Sequence, residues 1–338
     1  MLSQNEDTSN LIISIAMCTF NGADYLQEQL VSIVKQTRLP NELVTCDDGS
    51  TDSTLQILDE FKKKALFPVI IHCNKKRLGA TKNFEKVITL CKGEIIALCD
   101  QDDVWLPQKL EKIEELFKEH PNAGYIFSNA LVVDKKLNTL DFTLWDRFLF
   151  TKTARKRFKQ GHQNQVEILI HHNVVTGATM AFRKNIKDLI LPIPEEWVHD
   201  EWIALLASAV GARGIFVEEP LIKYRLHDRQ LIGIGIGGDK KLDLIEQFKK
   251  FYDNSKPEFY KNQAERLIYI SDQLNLTNKV TKETNKLFEE RIAHLQARQW
   301  LHGHSRWKRP NRVFTELISG HYHRLSNGWK SVIKDIFL

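Results

Sequence analysis

"EIIALCDQDDVWLPQKL" (Glu94–Leu110) is the stretch that decides the fold. An apolar run of strand character ends in Asp100, Asp102 and Asp103. Pro107 then leads into "QKLEKIEELFKEH", which has helical apolar spacing and follows a residue suited to a first helical turn. Crowded carboxylates raise one another's pKa. A hard divalent ion with oxygen ligands removes that penalty. Asp100 and Asp102 stand two apart, so in extended backbone they face the same way. The plainer alternative is an acidic turn capping the next helix, because Asp is a good N-cap.

The same alternation fills the first third of the chain. "LIISIAMCTF", "NELVTC", "FPVIIHC" and "EIIALC" read as strands. "DYLQEQLVSIVKQT", "STDSTLQILDEFKKK" and "TKNFEKVITLCK" read as amphipathic helices between them. This pattern predicts a parallel sheet covered on both faces. Ligands of such sheets bind beyond the carboxyl ends of the strands. The polar clusters "TFNG", "DDGSTD", "NKKRLG" and "DQDD" stand at those ends. Gly49 allows a tight turn, and Ser50 or Thr51 can cap the next helix. Two acids directly after a strand need another reason. Strand neighbours face opposite ways, so one of Asp47 and Asp48 points into the crevice, where a carboxylate can accept from a nucleobase N–H. Arg77 is either surface charge or a partner of the base or a phosphate. Neither GxGxxG nor GxxxxGK[ST] occurs, which speaks against dinucleotide and P-loop readings.

Composition narrows the class. The chain has 338 residues, 42% hydrophobic and 27% charged, enough for one large soluble domain with an appendage. A net charge of only +5 gives no sign of a nucleic-acid binder. No apolar run approaches the roughly 18 residues of a membrane span. The polar opening "MLSQNEDTSN" does not read as a signal peptide. Five cysteines without a CxxC pair read as buried, reduced thiols of a cytoplasmic protein, with no zinc site.

Further along, "NVVTGATMAFRK" (Asn173–Lys184) reads as a strand broken at Gly177. A glycine there marks close approach of a ligand or another backbone. "HDEW" opens the helix "IALLASAV", so Asp200 is either a first-turn acid or a catalytic carboxylate. Arg225 and His227, two apart in "YRLH", share a face. A guanidinium suits a diphosphate and a neutral imidazole suits a metal; an exposed edge strand is the alternative. The glycines from Gly233 to Gly238 read as a mobile segment that orders around a ligand.

Taken together, "ISIAMCTFNGADYLQEQLVSIVKQT", "DDGSTDST", "NKKRLGATKNF" and "LCDQDDVWLPQKL" resemble the family-two glycosyltransferases. The likeness is nearest to bacterial rhamnosyltransferase-like members that build cell-surface polysaccharide. It runs over about the first 230 residues, with four motifs in order. The resemblance implies a GT-A fold, an α/β Rossmann-like mostly parallel sheet flanked by helices, here with a C-terminal helical extension. It also implies a nucleoside-diphosphate sugar donor (dTDP- or UDP-), Mg²⁺ or Mn²⁺, and inversion at the anomeric carbon. By matching motif, Thr19, Asn21 and Glu28 would lie near the nucleoside. Asp47 would hold the base with Asp48 beside it, and Arg77 would touch the nucleotide. Asp100 and Asp102 would form the family's DxD, Asp102 binding metal directly and Asp103 supporting. Gly177 would lie near sugar and acceptor. Asp200 would be the catalytic base, with Glu201 in reserve. Trp197 and Trp202 would form a sugar platform or belong to the core. Arg225 and His227 would close over the donor phosphates, His227 also serving as a metal ligand. Gln230 departs from the family, where asparagine is common.

The expected organisation is a GT-A domain over residues 1–238, with a nucleotide-binding half at about 11–105 and an acceptor half at about 106–238, then a helical region at 239–338. In that tail basic residues outnumber acids, and Trp307, Phe314, Trp329 and Phe337 are interleaved. A basic helix with aromatics can lie on an anionic membrane. Alternatively these aromatics pack against the catalytic domain or a second subunit of a homo-oligomer. The expected acceptor is a glycan or lipid-linked saccharide, which places the chain at the inner face of the cell membrane. Two other classes compete. A sugar-1-phosphate nucleotidyltransferase would carry a Gly- and Arg-rich phosphate loop near its first strand, and "MCTFNGADYL" lacks one. A non-catalytic sugar-nucleotide or glycan-binding module would lack a base or an intact acid cluster.

Overall fold

The deciding stretch becomes a central strand and a short edge strand of one sheet. The structure, a computed structural model, describes residues 10–147, 150–228, 230, 256–277 and 279–337. The glycines Gly233–Gly238, the 238/239 boundary and the start of the expected helical region, residues 239–255, lie outside the described residues.

The first third alternates as its patterning demands: β1 (Ile13–Thr19), α1 (Ala23–Val34), β2 (Glu42–Asp47), α2 (Thr54–Lys64), β3 (Val69–Cys73), α3 (Ala80–Leu90) and β4 (Ile95–Asp100). β2 is buried at every position, and β1 and β4 at all but one, as a sheet covered on both faces requires. α1 turns Leu26, Gln29, Leu30 and Ile33 inward at three- and four-residue spacing. Then come β5 (Val104–Trp105), α4 (Lys109–Glu119), β6 (Ala123–Val133), β7 (Thr139–Thr143), α5 (Leu144–Arg147), α6 (Lys152–Lys159), α7 (His162–His171), β8 (Ala181–Arg183), α8 (Lys187–Ile190), α9 (His199–Ala209) and β9 (Arg213–Arg225). The sheet order is β3-β2-β1-β4-β8-β6-β9-β5, with β7 paired to β6. β1 to β4 run parallel to one another, while β8 runs antiparallel to β4 and β6. One strand was expected through Asn173–Lys184. Instead Gly177–Thr179 forms a 3-10 turn and only Ala181–Arg183 joins the sheet. The bare Gly177 backbone fits against His199 there.

The chain divides into two compact units. The first comprises Met1–Arg155, Val174–Ala207 and Ala212–His227, and the second Lys156–Asn173, Ser208–Gly211 and Asp228–Leu338. The second unit thus takes in residues 156–173, which the sequence reading gave to the acceptor half. Its own helices are α10 (Pro257–Thr277), α11 (Lys282–Gly303), α12 (Pro310–Ile318), α13 (His321–Leu325) and α14 (Trp329–Phe337). Thr281 caps α11, accepting from the Thr284 N–H at 3.2 Å. A core of Leu301, Val313, Tyr322 and Val332 joins α11 to the last three helices. All five cysteines are free; Cys46, Cys91 and Cys99 are buried as read, but Cys73 is exposed. Among the described residues no helix is long and apolar enough to cross a membrane.

Candidate active site

Parallel register aligns the ends of the first four strands. Thr19 pairs with Asp47, Asp47 with Cys73, and Cys18 with Asp100. One rim of the sheet therefore carries all four polar loops.

The first two loops lock together. Asp47 Oδ1 accepts from Thr19 Oγ1 at 2.9 Å and from Ser50 Oγ at 2.5 Å. Its Oδ2 accepts from the Gly49 and Ser50 N–H groups at 3.1 and 2.8 Å. Asn21 adopts φ 47°, a left-handed conformation that asparagine tolerates, and its Oδ1 accepts from the Thr51 N–H at 2.8 Å. Asp48 binds the third loop: Oδ1 accepts from Asn74 Nδ2 at 2.9 Å and the Leu78 N–H at 2.7 Å, and Oδ2 from the Gly79 N–H at 2.8 Å. The expectation that Asp47 faces a base thus meets a carboxylate whose two oxygens are each doubly engaged. Asp48 Oδ2 takes a single bond. Arg77 is exposed, its guanidinium 3.9 Å from the Phe20 ring centre. The cap of α2 also differs from expectation. Asp52, not Ser50 or Thr51, accepts from the Thr54 N–H, at 3.0 Å.

The acids after β4 are not helix caps. The cap position of α4 is Gln108, which makes no side-chain cap bond, so the plainer alternative fails. Gln101, passed over in the sequence, clamps the turn to the first loop: its Nε2 donates to the Phe20 carbonyl at 3.0 Å and its Oε1 accepts from the Phe20 N–H at 2.9 Å. Burial, then the neighbouring Asp102 and Asp200, push the Asp100 carboxyl up to about 7. Burial, then Asp102 and Asp100, push Asp103 well above the carboxylate range. Asp103 Oδ1 accepts from the Arg225 N–H at 3.0 Å, and its buried Oδ2 has no hydrogen-bond partner among the described residues. Asp102 keeps 16% of its side chain exposed, and its Oδ2 lies 2.7 Å from His227 Nε2.

Strand pairing brings His227 there. β5 runs antiparallel to β9, with Val104 opposite Lys223, so the DxD turn sits beside the end of β9. Arg225 was expected to grip a diphosphate. It is instead buried and committed: Nε donates to the Asp102 carbonyl at 2.7 Å, Nη1 to the Lys135 carbonyl at 2.7 Å, and Nη2 to the Glu28 carboxylate. Glu28, expected near the nucleoside, is half-exposed and paired with Arg225. Tyr25, which the sequence reading missed, lies against His227 and Arg225, its ring 4.6 Å from the tilted His227 ring and 4.7 Å from the guanidinium.

The other half of the site comes from far along the chain. Asp200 stands in the first turn of α9, where its Oδ2 accepts from the Gly177 N–H at 2.7 Å. A Cβ on Gly177 would lie 2.6 Å from His199 Nε2 and 3.5 Å from Asp200 Oδ2, so only glycine permits this approach. His199 stacks on Phe84 at 3.9 Å, and burial lowers its pKa to about 3, leaving it neutral. Glu201 is half-buried beside Asp200. Burial, then the charges of Asp103, Asp100, Asp102 and Asp200, raise the hydroxyl pKa of Tyr224. Lys109 ties the two halves. It is fully buried, lies 3.6 Å from the Trp105 ring centre, and donates to the Ala178 carbonyl at 2.7 Å. Burial brings its pKa down to about 7 against the opposing field of Asp103 and Asp100. A lysine at a helix N-terminus opposes the helix dipole; that was the signal in the sequence that Lys109 has other work. Trp197 and Trp202 are buried, and Trp202 Nε1 donates to the Ile190 carbonyl at 2.7 Å, so both belong to the core.

Asp102 and His227 offer an oxygen and a nitrogen at the open edge of a crowded acidic rim, a donor set that fits a divalent cation. The expected quartet of Asp100, Asp102, Asp103 and His227 is not gathered as tightly as a ready cage. Among the described residues the group of three metal-ligating side chains that is that close, His294, Glu316 and His321, lies in the helical unit. There Glu316 Oε2 stands 2.6 Å from His294 Nδ1 and 3.0 Å from His321 Nδ1.

This sheet order, with acid loops on one rim and helices following, is the GT-A arrangement. Residues 14–189, just over half the chain, match the family model described as Glycosyl transferase family 2. The chain belongs to that family. A curated relative, the Escherichia coli UDP-Glc:alpha-D-GlcNAc-diphosphoundecaprenol beta-1,3-glucosyltransferase WfaP, is 24% identical over 216 residues, covering 64% of this chain and 78% of that protein. An uncharacterised Mycobacterium tuberculosis protein is 27% identical over 225 residues, and the chain spans 59% of its length. Among solved structures, Staphylococcus aureus TarS 1-349 in complex with UDP-GlcNAc has a TM-score of 0.57 at 18% identity, covering 96% of this chain and 82% of that one. A Pyrobaculum calidifontis mannosyltransferase, solved with GDP-Man and Mn²⁺, has a TM-score of 0.52 at 13% identity, covering 97% and 86%. These likenesses are of fold.

Proposed function

We propose that this glycosyltransferase is metal-dependent and inverting, and that it moves a hexose such as rhamnose from a dTDP- or UDP-sugar to a hydroxyl of a growing cell-surface glycan or lipid-linked saccharide. The observation that carries the reading is that Asp200 is held by the Gly177 N–H at 2.7 Å, on the same turn whose Ala178 carbonyl accepts from Lys109, the residue that opens the helix after the acidic turn. A nucleotidyltransferase has no need of a second, distant carboxylate poised for an acceptor hydroxyl. The glucosyltransferase relative acts on a diphosphoundecaprenol-linked sugar, which supports a lipid-linked acceptor and work at the inner membrane face.

The residues divide the labour. Asp48, with its less engaged Oδ2, accepts from the base N–H, and Asp47 builds the turn that presents it. Thr19, Asn21 and Arg77 frame the nucleoside. Asp102 and His227 would hold Mg²⁺ or Mn²⁺, which when bound neutralises charge developing on a departing diphosphate. Arg225 acts as a positioning residue, fixing the Asp102 backbone and Glu28. Asp200, oriented by the Gly177 N–H, takes the proton of the acceptor hydroxyl as it attacks. Attack opposite the leaving group inverts the anomeric centre with no covalent enzyme intermediate.

A thermal-shift panel of sugar nucleotides with Mn²⁺ or Mg²⁺ tests this. A ligand at 100 times its Kd stabilises the native state by about 2.7 kcal/mol. A dTDP- or UDP-sugar should raise Tm by several degrees in the presence of metal, and Asp102→Ala should abolish the metal-dependent part of that rise. A panel in which no sugar nucleotide shifts Tm, or an Asp102→Ala protein that keeps the full metal effect, overturns the site as drawn.

A further inference from the structure

Helix α14 is built inside out. In a water-soluble helix the apolar stripe faces the core and the polar face meets solvent. In α14 the outward stripe at i, i+4 and i+8 is Trp329, Ile333 and Phe337, exposed at 60%, 56% and 63%. Turned inward beside Val332 is Asp335, 0% exposed, which Arg298, His302 and Tyr322 satisfy. The neighbouring α12 repeats the outward half of the pattern with Phe314 and Ile318, at 62% and 71%. The turn ahead of it carries Trp307, 94% exposed. α12 and α14 share one core through Val313 and Val332. Single exposed apolar residues are ordinary, but a row of large ones on adjoining helices marks an interaction surface.

Charge says what covers it. The chain as a whole carries +5, and residues 304–338 alone hold seven Lys and Arg against two acids, so its excess of positive charge sits in this segment. Neither acid is available to offset it: Asp335 is buried, and Glu316 lies between His294 and His321. Lys308, Arg312 and Lys330 are exposed in the same helices as the aromatics. Aromatic and aliphatic side chains interleaved with solvent-facing cations are the signature of a helix lying in the plane of an anionic bilayer. A second copy of the chain is the poorer match, because a two-fold contact would set this basic face against itself.

We propose that α12 and α14 form a docking surface for an anionic lipid bilayer, in which Trp307, Phe314, Ile318, Trp329, Ile333 and Phe337 enter the headgroup–acyl boundary and Lys308, Arg312 and Lys330 pair with lipid phosphates. The inference does not rest on the transferase reading, since it uses no residue of that site.

The test is co-sedimentation of the full chain, without sugar nucleotide, with vesicles of equal parts phosphatidylglycerol and phosphatidylcholine, and with pure phosphatidylcholine vesicles. The wild type binds the anionic vesicles, and binding falls as salt rises. The double variant Ile333→Asp/Phe337→Asp, altered only at exposed positions, lowers the partition coefficient by at least about tenfold, with an unchanged circular-dichroism melt. Lys308→Gln/Lys330→Gln also weakens anionic binding, by about thirtyfold, as expected from the worth of each cation near such a surface. Failure of the wild type to sediment with anionic vesicles overturns the proposal. So does a dimer in light scattering that Ile333→Asp/Phe337→Asp dissolves while vesicle binding is absent in both proteins. Because no donor is present, either failure leaves the thermal-shift result to stand or fall by itself.

Discussion

Asp200→Asn lowers turnover by about 10² to 10⁴-fold, the usual contribution of a positioned general base, while the donor-induced rise in Tm stays. The substitution is nearly isosteric. Its amide oxygen still accepts from the Gly177 N–H that now meets Asp200 Oδ2 at 2.7 Å, so the turn and the start of α9 keep their places. What is lost is the basic oxygen, and with it the means of taking a proton from an acceptor hydroxyl whose own pKa lies far above neutrality. Glu201→Gln is the control: Glu201 stands half-buried next to Asp200 in the first turn of α9, and its loss should leave the rate within about threefold, well short of a general-base effect. Measured kcat for both variants with one donor and one acceptor decides the matter. A rate for Asp200→Asn within threefold of wild type would remove that residue from catalysis, and a collapse in Glu201→Gln alone would transfer the role.

The second large effect is on stability. Asp335 sits at the centre of the helical unit, with Arg298 Nε and Nη2 donating to its two oxygens at 2.7 Å each, Tyr322 Oη at 2.8 Å, and His302 Nε2 2.9 Å away. Asp335→Ala strands the Arg298 guanidinium, which is itself buried. Breaking a buried pair from one side costs about 3–5 kcal/mol, because the remaining charge is desolvated and uncompensated. Urea melts followed by tryptophan fluorescence should show a markedly lower midpoint; an unchanged midpoint would contradict the pairing. The pH dependence has a definite sign. Burial pushes the Asp335 carboxyl up, but the bonds from His302 and Arg298 more than offset it and hold the group at about 2, below its ordinary 3.8. A carboxylate depressed in this way stabilises the fold above its unfolded pKa, and the benefit is lost as pH falls through 3.8 towards 2. The shift is worth about 2 kcal/mol. The stability gap between wild type and Asp335→Ala should therefore narrow between pH 4 and pH 2, and a gap that widens there would refute the assignment.

Much of this protein was legible without coordinates. Four apolar runs between amphipathic segments can only become buried parallel strands, and the polar clusters after them must then share a rim. "DQDD" and "HDEW" stood out because adjacent acids at element ends have few structural uses. The division of labour between neighbours was not legible. Asp47 and Asp48 differ by one position, and only the structure shows that Asp47 bonds the loop at Ser50 while Asp48 bonds the loop at Leu78 and Gly79. The spacing of Arg225 to His227 was visible in the sequence, whereas the carbonyls of Asp102 and Lys135 to which its guanidinium donates were not.

Period and composition are local, so the sequence by itself determined the first four strands, the helices around them, the acidic rim and the basic, aromatic character of the tail. Partnership is not local. Which carboxylate meets which donor depends on strand register and helix rotation set by packing across a hundred residues or more, as when β5 against β9 delivers His227 to Asp102. The same holds for α14. Its residues alone cannot say which side faces inward, and it is the buried Arg298 that draws Asp335 into the core and turns Trp329, Ile333 and Phe337 out.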